Sequence, residues 1–329
     1  MKDESVKQRK PYIDSLRGIA MLVVVYGHCL LSQSDTGYSL YFVYTSPFNV
    51  ALFFVISGYL FTTNKDTGVF LKYLLTRLVV PWLVLGLFPY YNALERLPDI
   101  LSGKNLWFMP ALIIGELIWY YLNKYFKNER SVVLSGLFVS ALGMLFHEYG
   151  LFDYAMINRA MTIQWLFILG RFIKKYECGI VDYIRNHMVI AILLYFALGM
   201  VFIFMYPSLF YDVHLNRYYF IPLTWGMIVL GVLILFTFFK SNNFCPKWLV
   251  VIGQNTLPIY IFSDLGRHVF NILLSSINYS SQIYPITAIV ETAFACMMCI
   301  VFCLFANRYV PELVGRKRIK IKDSLKNES

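Results

Sequence analysis

The chain has 329 residues, of which 58% are hydrophobic and 15% are charged, and its formal net charge is +10. In soluble globular domains about a quarter of the residues are charged, so this composition excludes an ordinary soluble protein. The positive charge does not indicate nucleic-acid binding, because the basic residues occupy short loops and the C-terminal run 316–322. Orientation in a membrane and attraction to anionic lipid explain them.

Ten apolar segments follow one another along the chain. Each has roughly the ~20 residues that cross a hydrocarbon core of ~30 Å. They predict an all-α fold, a polytopic membrane helix bundle of about ten transmembrane helices. The predicted helices are 12–33, 41–62, 70–92, 106–125, 131–146, 154–174, 187–206, 217–239, 247–275 and 281–306.

Lysine and arginine residues concentrate on alternate loops between these segments, as the positive-inside rule requires of a correct assignment. The basic loops all lie on one side of the membrane, and this side is predicted to be the cytoplasmic one. Both termini are predicted to lie on the same side. We therefore divide the chain into a cytoplasmic N-terminal segment, 1–11, a transmembrane domain, 12–306, and a basic cytoplasmic tail, 307–329. The charged start lacks a small-residue cleavage site after a short apolar region, which predicts no removable signal peptide.

The six cysteines predict neither a disulfide framework nor a zinc site. Cys296, Cys299 and Cys303 share one face of the last predicted helix. Cysteine packs as a small apolar side chain, which explains their presence on this face. No metal-ligand set is predicted elsewhere in the chain.

Three ionisable residues of the first apolar segment share one helix face. Arg17 and His28 are eleven residues apart, which on an α-helix is about 16 Å of rise and about 20° of rotation. Asp14 lies one turn before Arg17. Ionisable groups inside a membrane are costly, so such a stripe indicates a functional site.

The other intramembrane polar residues fall into two layers once each helix has a direction. The inner layer, near the predicted cytoplasmic face, contains Arg17, Arg77 and Arg171. Guanidinium groups there suit an anionic ligand with phosphates. The alternative is that these arginines reach the lipid headgroups without binding a substrate.

The outer layer combines a histidine with carboxylates and one further arginine. A histidine oriented by a carboxylate can remove a proton from a hydroxyl, the minimum for general-base catalysis. Asp264 and Glu291 lie at depths that suit a partner of His28. The alternative for each of these residues is a buried hydrogen bond between helices. The polar residues placed here are His28, Arg159, Asp264 and Glu291, with Glu116 near the middle of the membrane.

Five short motifs, spread over most of the chain, form a combined signature. They are Ile13–Ala20 followed by His28, Phe53–Phe61, Leu106–Leu112, Asn158–Gly170 and Gly253–Tyr260. Together they resemble the integral-membrane acyltransferase family 3, O-acyltransferases that modify bacterial surface glycans and other hydroxylated acceptors. Two positions differ from the family pattern. Leu74 stands where a second arginine usually precedes Arg77, and Ser263 stands where a histidine often follows the last motif.

The resemblance implies an O-acyltransferase, in the first instance an O-acetyltransferase, in the cytoplasmic membrane of a bacterium. Acyl-CoA would be the donor substrate, with no permanently bound cofactor, and the acceptor would be a hydroxyl of a cell-surface or lipid-linked glycan. The expected partners are thus the donor, the glycan and membrane lipids, and self-association of the chain is left open.

The resemblance also distributes roles among the polar residues. His28 is the expected general base, with Asp264 and Glu291 as candidate catalytic carboxylates. The acyl-CoA site is assigned to Asp14, Arg17, Arg77 and Arg171. The acceptor site is assigned to Trp107, Phe108, Glu116 and Arg159, although an interfacial aromatic belt also explains the two aromatic residues.

Two other functions are open at this point. A transporter or exporter of a glycan or an acylated metabolite would use Arg17 and Arg77 as substrate contacts and His28 as a proton relay. An acyltransferase acting on a small molecule or a lipid would present the same chemistry to the base, because every such acceptor offers a hydroxyl.

Overall fold

The computed structural model describes residues 10–31, 35–62, 66–87, 93–103, 106–205, 221–274 and 284–311. Within these ranges the regular elements are helices, and no β-strand occurs. The helices are α1 (Pro11–Leu31), α2 (Asp35–Leu60), α3 (Thr67–Leu74), α4 (Val80–Leu87), α5 (Ala93–Ser102), α6 (Phe108–Tyr125), α7 (Glu129–Glu148), α8 (Ile157–Thr162), α9 (Gln164–Lys175), α10 (Glu177–Asn186), α11 (Met188–Met205), α12 (Ile221–Ser241), α13 (Lys247–Gln254), α14 (Thr256–Leu273) and α15 (Tyr284–Tyr309). A π turn, Leu75–Val79, joins α3 to α4, and a 3₁₀ turn, Tyr154–Met156, precedes α8.

Seven helical stretches of the described chain are long and apolar enough to cross a membrane. They confirm the all-helical membrane fold, while the count of about ten and the orientation of the termini remain predictions. The seven stretches are Pro11–Leu30, Tyr41–Leu60, Thr67–Leu87, Glu129–Glu148, Met188–Met205, Pro222–Ser241 and Pro285–Tyr309. The predicted helix 106–125 forms as α6 but is not among the seven.

Two segments predicted as single helices are broken in the structure. The break within 154–174 separates α8 from α9 at Ile163, and the break within 247–275 separates α13 from α14 at Asn255. At each break a side-chain amide donates a hydrogen bond to the backbone carbonyl four residues earlier. Gln164 Nε2 donates to Ala160 O at 2.8 Å, and Asn255 Nδ2 donates to Val251 O at 2.7 Å. Side chains that compete for helical carbonyls in this way interrupt the regular bonding pattern.

Two regions predicted as loops form short helices, α5 and α10. Both sequences contain charged residues, which conceal them from a search for apolar segments. Helix α10 nevertheless buries Val181 and Ile184, three residues apart, against the bundle. That spacing is the one expected for a helix lying with one face on its neighbours.

Glycines bring α2 and α9 into very close contact. A Cβ atom on Gly170 of α9 would lie 2.0 Å from the backbone oxygen of Val55 on α2, and one on Gly58 would lie 2.3 Å from the oxygen of Phe167. Small residues allow such backbone approach between membrane helices. The motifs Phe53–Phe61 and Asn158–Gly170, which are far apart in the sequence, therefore meet at a single helix crossing.

A hydrogen-bonded network fastens the beginning of α1 to three other helices. Its centre is Glu177, the first residue of α10, which accepts from Tyr59 of α2 at 2.8 Å and from Tyr12 of α1 at 3.3 Å. Lys240 of α12 forms an ion pair with the same carboxylate. Lys10 donates to the Tyr59 hydroxyl at 2.8 Å. One carboxylate thus binds one ammonium group and two hydroxyls at this end of the bundle, and a second ammonium group, that of Lys10, joins through the Tyr59 hydroxyl.

Replacing Glu177 with alanine is expected to lower the unfolding midpoint of the protein in detergent. The substitution leaves the partly buried Lys240 without its carboxylate and removes the carboxylate acceptor of the Tyr59 hydroxyl, at a cost of about 1–3 kcal/mol. Asp182→Ala is the matched control, because Asp182 is exposed and pairs with Arg185 of its own helix. Equal midpoints for the two variants would contradict the structural role of the network.

Candidate active site

Helix α1 is unbroken from Pro11 to Leu31, so the spacing expected between Arg17 and His28 holds. The proline stands at the first helical position and Asp14 lies in the first turn, both favourable at a helix N-terminus. Asp14 is buried, Arg17 is half-buried and His28 is exposed. Arg17 and His28 are therefore about 16 Å apart along one continuous helix.

The motif Gly253–Tyr260 packs against the first half of α1 and contains the break between α13 and α14. A Cβ atom on Gly253 would lie 1.7 Å from the backbone oxygen of Asp14, and one on Gly18 would lie 2.3 Å from the oxygen of Leu249. Gln254 Nε2 donates to Asp14 Oδ2 at 3.4 Å. These contacts place Asp14 in the packing of α1 on α13, in addition to its predicted place beside Arg17.

An inner cluster is formed by Arg17, Tyr73, Arg77 and Glu116. Electrostatic interactions connect Tyr73 with Glu116, Arg17 and Arg77, which places the four residues near one another. Helix α6, which carries the buried Glu116, packs against the π turn that carries Arg77. The structure therefore brings two of the predicted donor-site arginines together with a carboxylate that had been assigned to the acceptor.

Arg171 makes its described contacts at the ends of α6 and α7. Its guanidinium donates to Asn123 Oδ1 and lies 3.8 Å from Glu129 Oε1. Lys175, one turn further along α9, donates to the other oxygen of Glu129 at 2.7 Å. These contacts give Arg171 a structural explanation that does not need a bound ligand.

The outer carboxylates share a single arginine. Arg267 Nη1 lies 2.8 Å from Asp264 Oδ1, and its Nε lies 3.5 Å from Glu291 Oε1. Glu291 is fully buried, whereas the Asp264 side chain is 77% exposed. Asn271 Nδ2 donates to Glu291 Oε1 at 3.4 Å. Of the two candidate partners for His28, Glu291 is the one inside the bundle.

Glu291 contacts α1 at Cys29, the residue after His28. The Cys29 thiol lies within hydrogen-bond range of the Glu291 carboxylate, and Thr292 Oγ1 donates to Cys29 Sγ at 3.4 Å. Arg267 is a member of this group that was not predicted from the sequence. Its position three residues after Asp264 on a predicted helix is the signal that identifies it, because i and i+3 residues are neighbours on a helix surface.

The four residues predicted for the acceptor do not form one group. Arg159 is buried and stacks over Trp107, with 5.5 Å from the guanidinium carbon to the ring centre. Phe108 packs edge-on against Tyr260, and its backbone N–H donates to the Tyr260 hydroxyl at 3.3 Å. Glu116 belongs to the inner cluster. Trp107 and Phe108 therefore lie between a buried cation and the motif Gly253–Tyr260, a packed setting that an interfacial belt alone does not explain.

The fold and the site define an integral membrane protein whose helix bundle contains ionisable groups at two levels. The acyltransferase 3 family model, which describes an acyltransferase domain, matches residues 10–308. This chain therefore belongs to that family of membrane acyltransferases.

Part of the chain is also similar to a bacterial protein named for an enzymatic activity. The chain is similar to an amino-acid racemase of Enterococcus faecalis, with 30% identity over 151 residues. The match covers 40% of this chain and 21% of the racemase. No solved structure gives a significant match to the chain.

Proposed function

We propose that this protein is an O-acyltransferase that transfers an acyl group, in the first instance acetyl, from acyl-CoA to a hydroxyl of a cell-surface or lipid-linked glycan. Membership of the family supports acyl transfer. The spacing of Arg17 and His28 on unbroken α1 supports donor binding by Arg17 and catalysis by His28. The bacterial relative supports placement in a bacterial cytoplasmic membrane. The region shared with the racemase is 21% of that protein and does not carry its activity over to this chain.

The donor is proposed to bind with its phosphates at the inner cluster. Arg17 and Arg77 offer two guanidinium groups to these phosphates. Guanidinium groups bind phosphate oxygens through charge-assisted, often bidentate hydrogen bonds. The pantetheine arm would then extend along α1, over about 16 Å, toward His28.

His28 is proposed to act as the general base. It would remove the proton of the acceptor hydroxyl as that oxygen attacks the thioester carbonyl carbon. The carbon–sulfur bond then breaks, and the proton passes from His28 to the CoA thiolate, so that the base is regenerated. Holding donor and acceptor together contributes about 7–11 kcal/mol to lowering the barrier.

Glu291 is proposed to support His28 from within the bundle. Its carboxylate is held by Arg267 and Asn271 and reaches α1 at Cys29. Asp264 is exposed and paired with the same arginine, so its proposed role is to orient Arg267. The aromatic residues Trp107 and Phe108 remain the proposed stacking surface for a sugar ring.

The assay for this function uses the full-length protein in lipid vesicles with radiolabelled acetyl-CoA and lipid-linked glycans extracted from bacterial membranes. Release of free CoA together with label in the glycan fraction is the expected result. Movement of a glycan across the vesicle membrane without CoA release would support a transporter instead. Label in a lipid or small-molecule fraction would retain the acyl transfer and change the acceptor class.

Replacing Arg17 with alanine is expected to raise the KM for acetyl-CoA at least tenfold with a smaller effect on kcat. The reason is the loss of a charge-assisted hydrogen bond, worth about 1.5–3 kcal/mol. Arg185→Ala is the matched control, since Arg185 is exposed on α10 and pairs with Asp182. An unchanged KM in the Arg17 variant would remove this residue from the donor site.

A further inference from the structure

Tyr73 has no role in the proposed reaction so far, yet it lies among the charged groups of the inner cluster. Its side chain is 40% exposed at the end of α3, directly before the π turn. Its neighbours Phe70 and Leu74 are buried and hold the adjacent face of the helix in the core. The Tyr73 ring therefore borders the packed face of α3 and stays partly exposed.

The π turn determines how Tyr73 and Arg77 are presented. The Thr76 hydroxyl donates to the backbone oxygen of Lys72 at 2.8 Å, which competes with the regular helical bonds and favours the wider turn. Residues four apart lie on the same side of a helix. Tyr73 and Arg77 therefore face the same region, toward α6 and Glu116. Isolated π turns of this kind are rare and occur frequently at functional sites.

A tyrosine hydroxyl differs in its hydrogen bonding from the other groups of the inner cluster. The guanidinium groups of Arg17 and Arg77 are donors only, and the carboxylate of Glu116 is an acceptor only, whereas a phenolic hydroxyl donates one bond. A phosphate group has three strong acceptor oxygens, which can accept from a hydroxyl as well as from guanidinium groups. A neutral donor beside them adds a bond without adding charge.

We infer that Tyr73 is a donor-binding residue, whose hydroxyl donates a hydrogen bond to the phosphate group held by Arg17 and Arg77. This inference rests on the proposed function, because that function supplies acyl-CoA as the phosphate-bearing ligand. The same chemistry would also recognise the phosphate of an anionic lipid headgroup. The test must therefore distinguish a CoA phosphate from a lipid phosphate.

The experiment measures binding of radiolabelled acetyl-CoA to the purified full-length protein in phosphatidylcholine nanodiscs, so it needs no acceptor. Tyr73→Phe removes the hydroxyl and keeps the ring, and Tyr121→Phe makes the same change on the partly exposed Tyr121 of α6, which stacks on Tyr125. The dissociation constant is expected to rise about tenfold in the Tyr73 variant, the effect of losing one hydrogen bond to a charged group. It should not change in the Tyr121 variant.

Acetylpantetheine, which lacks phosphates, serves as a second probe and is expected to bind equally to wild type and Tyr73→Phe. Equal binding of acetyl-CoA to wild type and the Tyr73 variant would overturn the inference and leave the proposed function standing. Nanodiscs containing labelled phosphatidylglycerol test the lipid source. A loss of lipid binding in Tyr73→Phe with unchanged acetyl-CoA binding would also overturn the inference. Failure of the wild type to bind acetyl-CoA would contradict the proposed donor and this inference with it.

Discussion

Replacing His28 with alanine is expected to reduce CoA release by a factor of about 10² to 10⁴, the contribution of a positioned general base. His28 is exposed, so its removal leaves no cavity in the core. The KM for acetyl-CoA should change little, since the proposed phosphate contacts lie about 16 Å away along α1. The measurement is steady-state CoA release in vesicles, with acetyl-CoA and glycan varied separately.

His187→Ala is the matched control for this substitution. His187 is exposed between α10 and α11, and its ring bonds to the backbone oxygen of Tyr183 within the same turn of chain. Its loss should leave CoA release unchanged. If His28→Ala retains wild-type turnover while it folds normally, the base must be another group, and the proposed mechanism is wrong.

The second large effect is expected from Gly170→Ala, which should prevent stable folding of the bundle. The new Cβ atom would lie 2.0 Å from the backbone oxygen of Val55 and 2.6 Å from the backbone nitrogen of Tyr59. Backbone atoms of a packed helix cannot move aside locally, so α2 and α9 must separate. Overpacking of this kind costs about 1–3 kcal/mol or more.

Gly226→Ala provides the comparison, because nothing lies within 4 Å of the position that its Cβ would take. Alanine favours a helix over glycine by about 1 kcal/mol, so this variant should be as stable as the wild type or more stable. Size-exclusion profiles and unfolding midpoints in detergent report the difference. A Gly170 variant that elutes and unfolds like the Gly226 variant would show that α2 and α9 are not in backbone contact.

Much of the fold could be predicted because apolar length is a local property of the sequence. α1, α2, α7 and α11 were each predicted as a helix at nearly the position where it forms. The breaks at Ile163 and Asn255 could not be predicted in the same way, because a polar residue within an apolar run gives no indication of which carbonyl its side chain will bond. The short helices α5 and α10 were missed since their charges resemble those of loops.

The candidate site was predictable only along single helices. The alignment of Arg17 with His28 follows from helical geometry alone. The packing of the helices decides which residues from other helices lie near Arg17 and His28. The sequence gives the depth of a residue along the membrane normal, but it does not give the position of its helix in the plane of the membrane. Arg77 and Glu116 thus join Arg17, whereas Arg171 contacts Glu129 on α7. Tyr73 and Arg267 were omitted because an isolated tyrosine or a local ion pair has an ordinary explanation in a membrane helix.

The interlocked glycines between α1 and α13 limit how the protein can move. Gly18 faces Leu249 and Gly253 faces Asp14 at backbone distance, so a sliding or rolling of one helix over the other would force atoms into each other. The two helices should therefore move as one rigid body, and any displacement of other helices during turnover is expected to take place relative to this fixed pair.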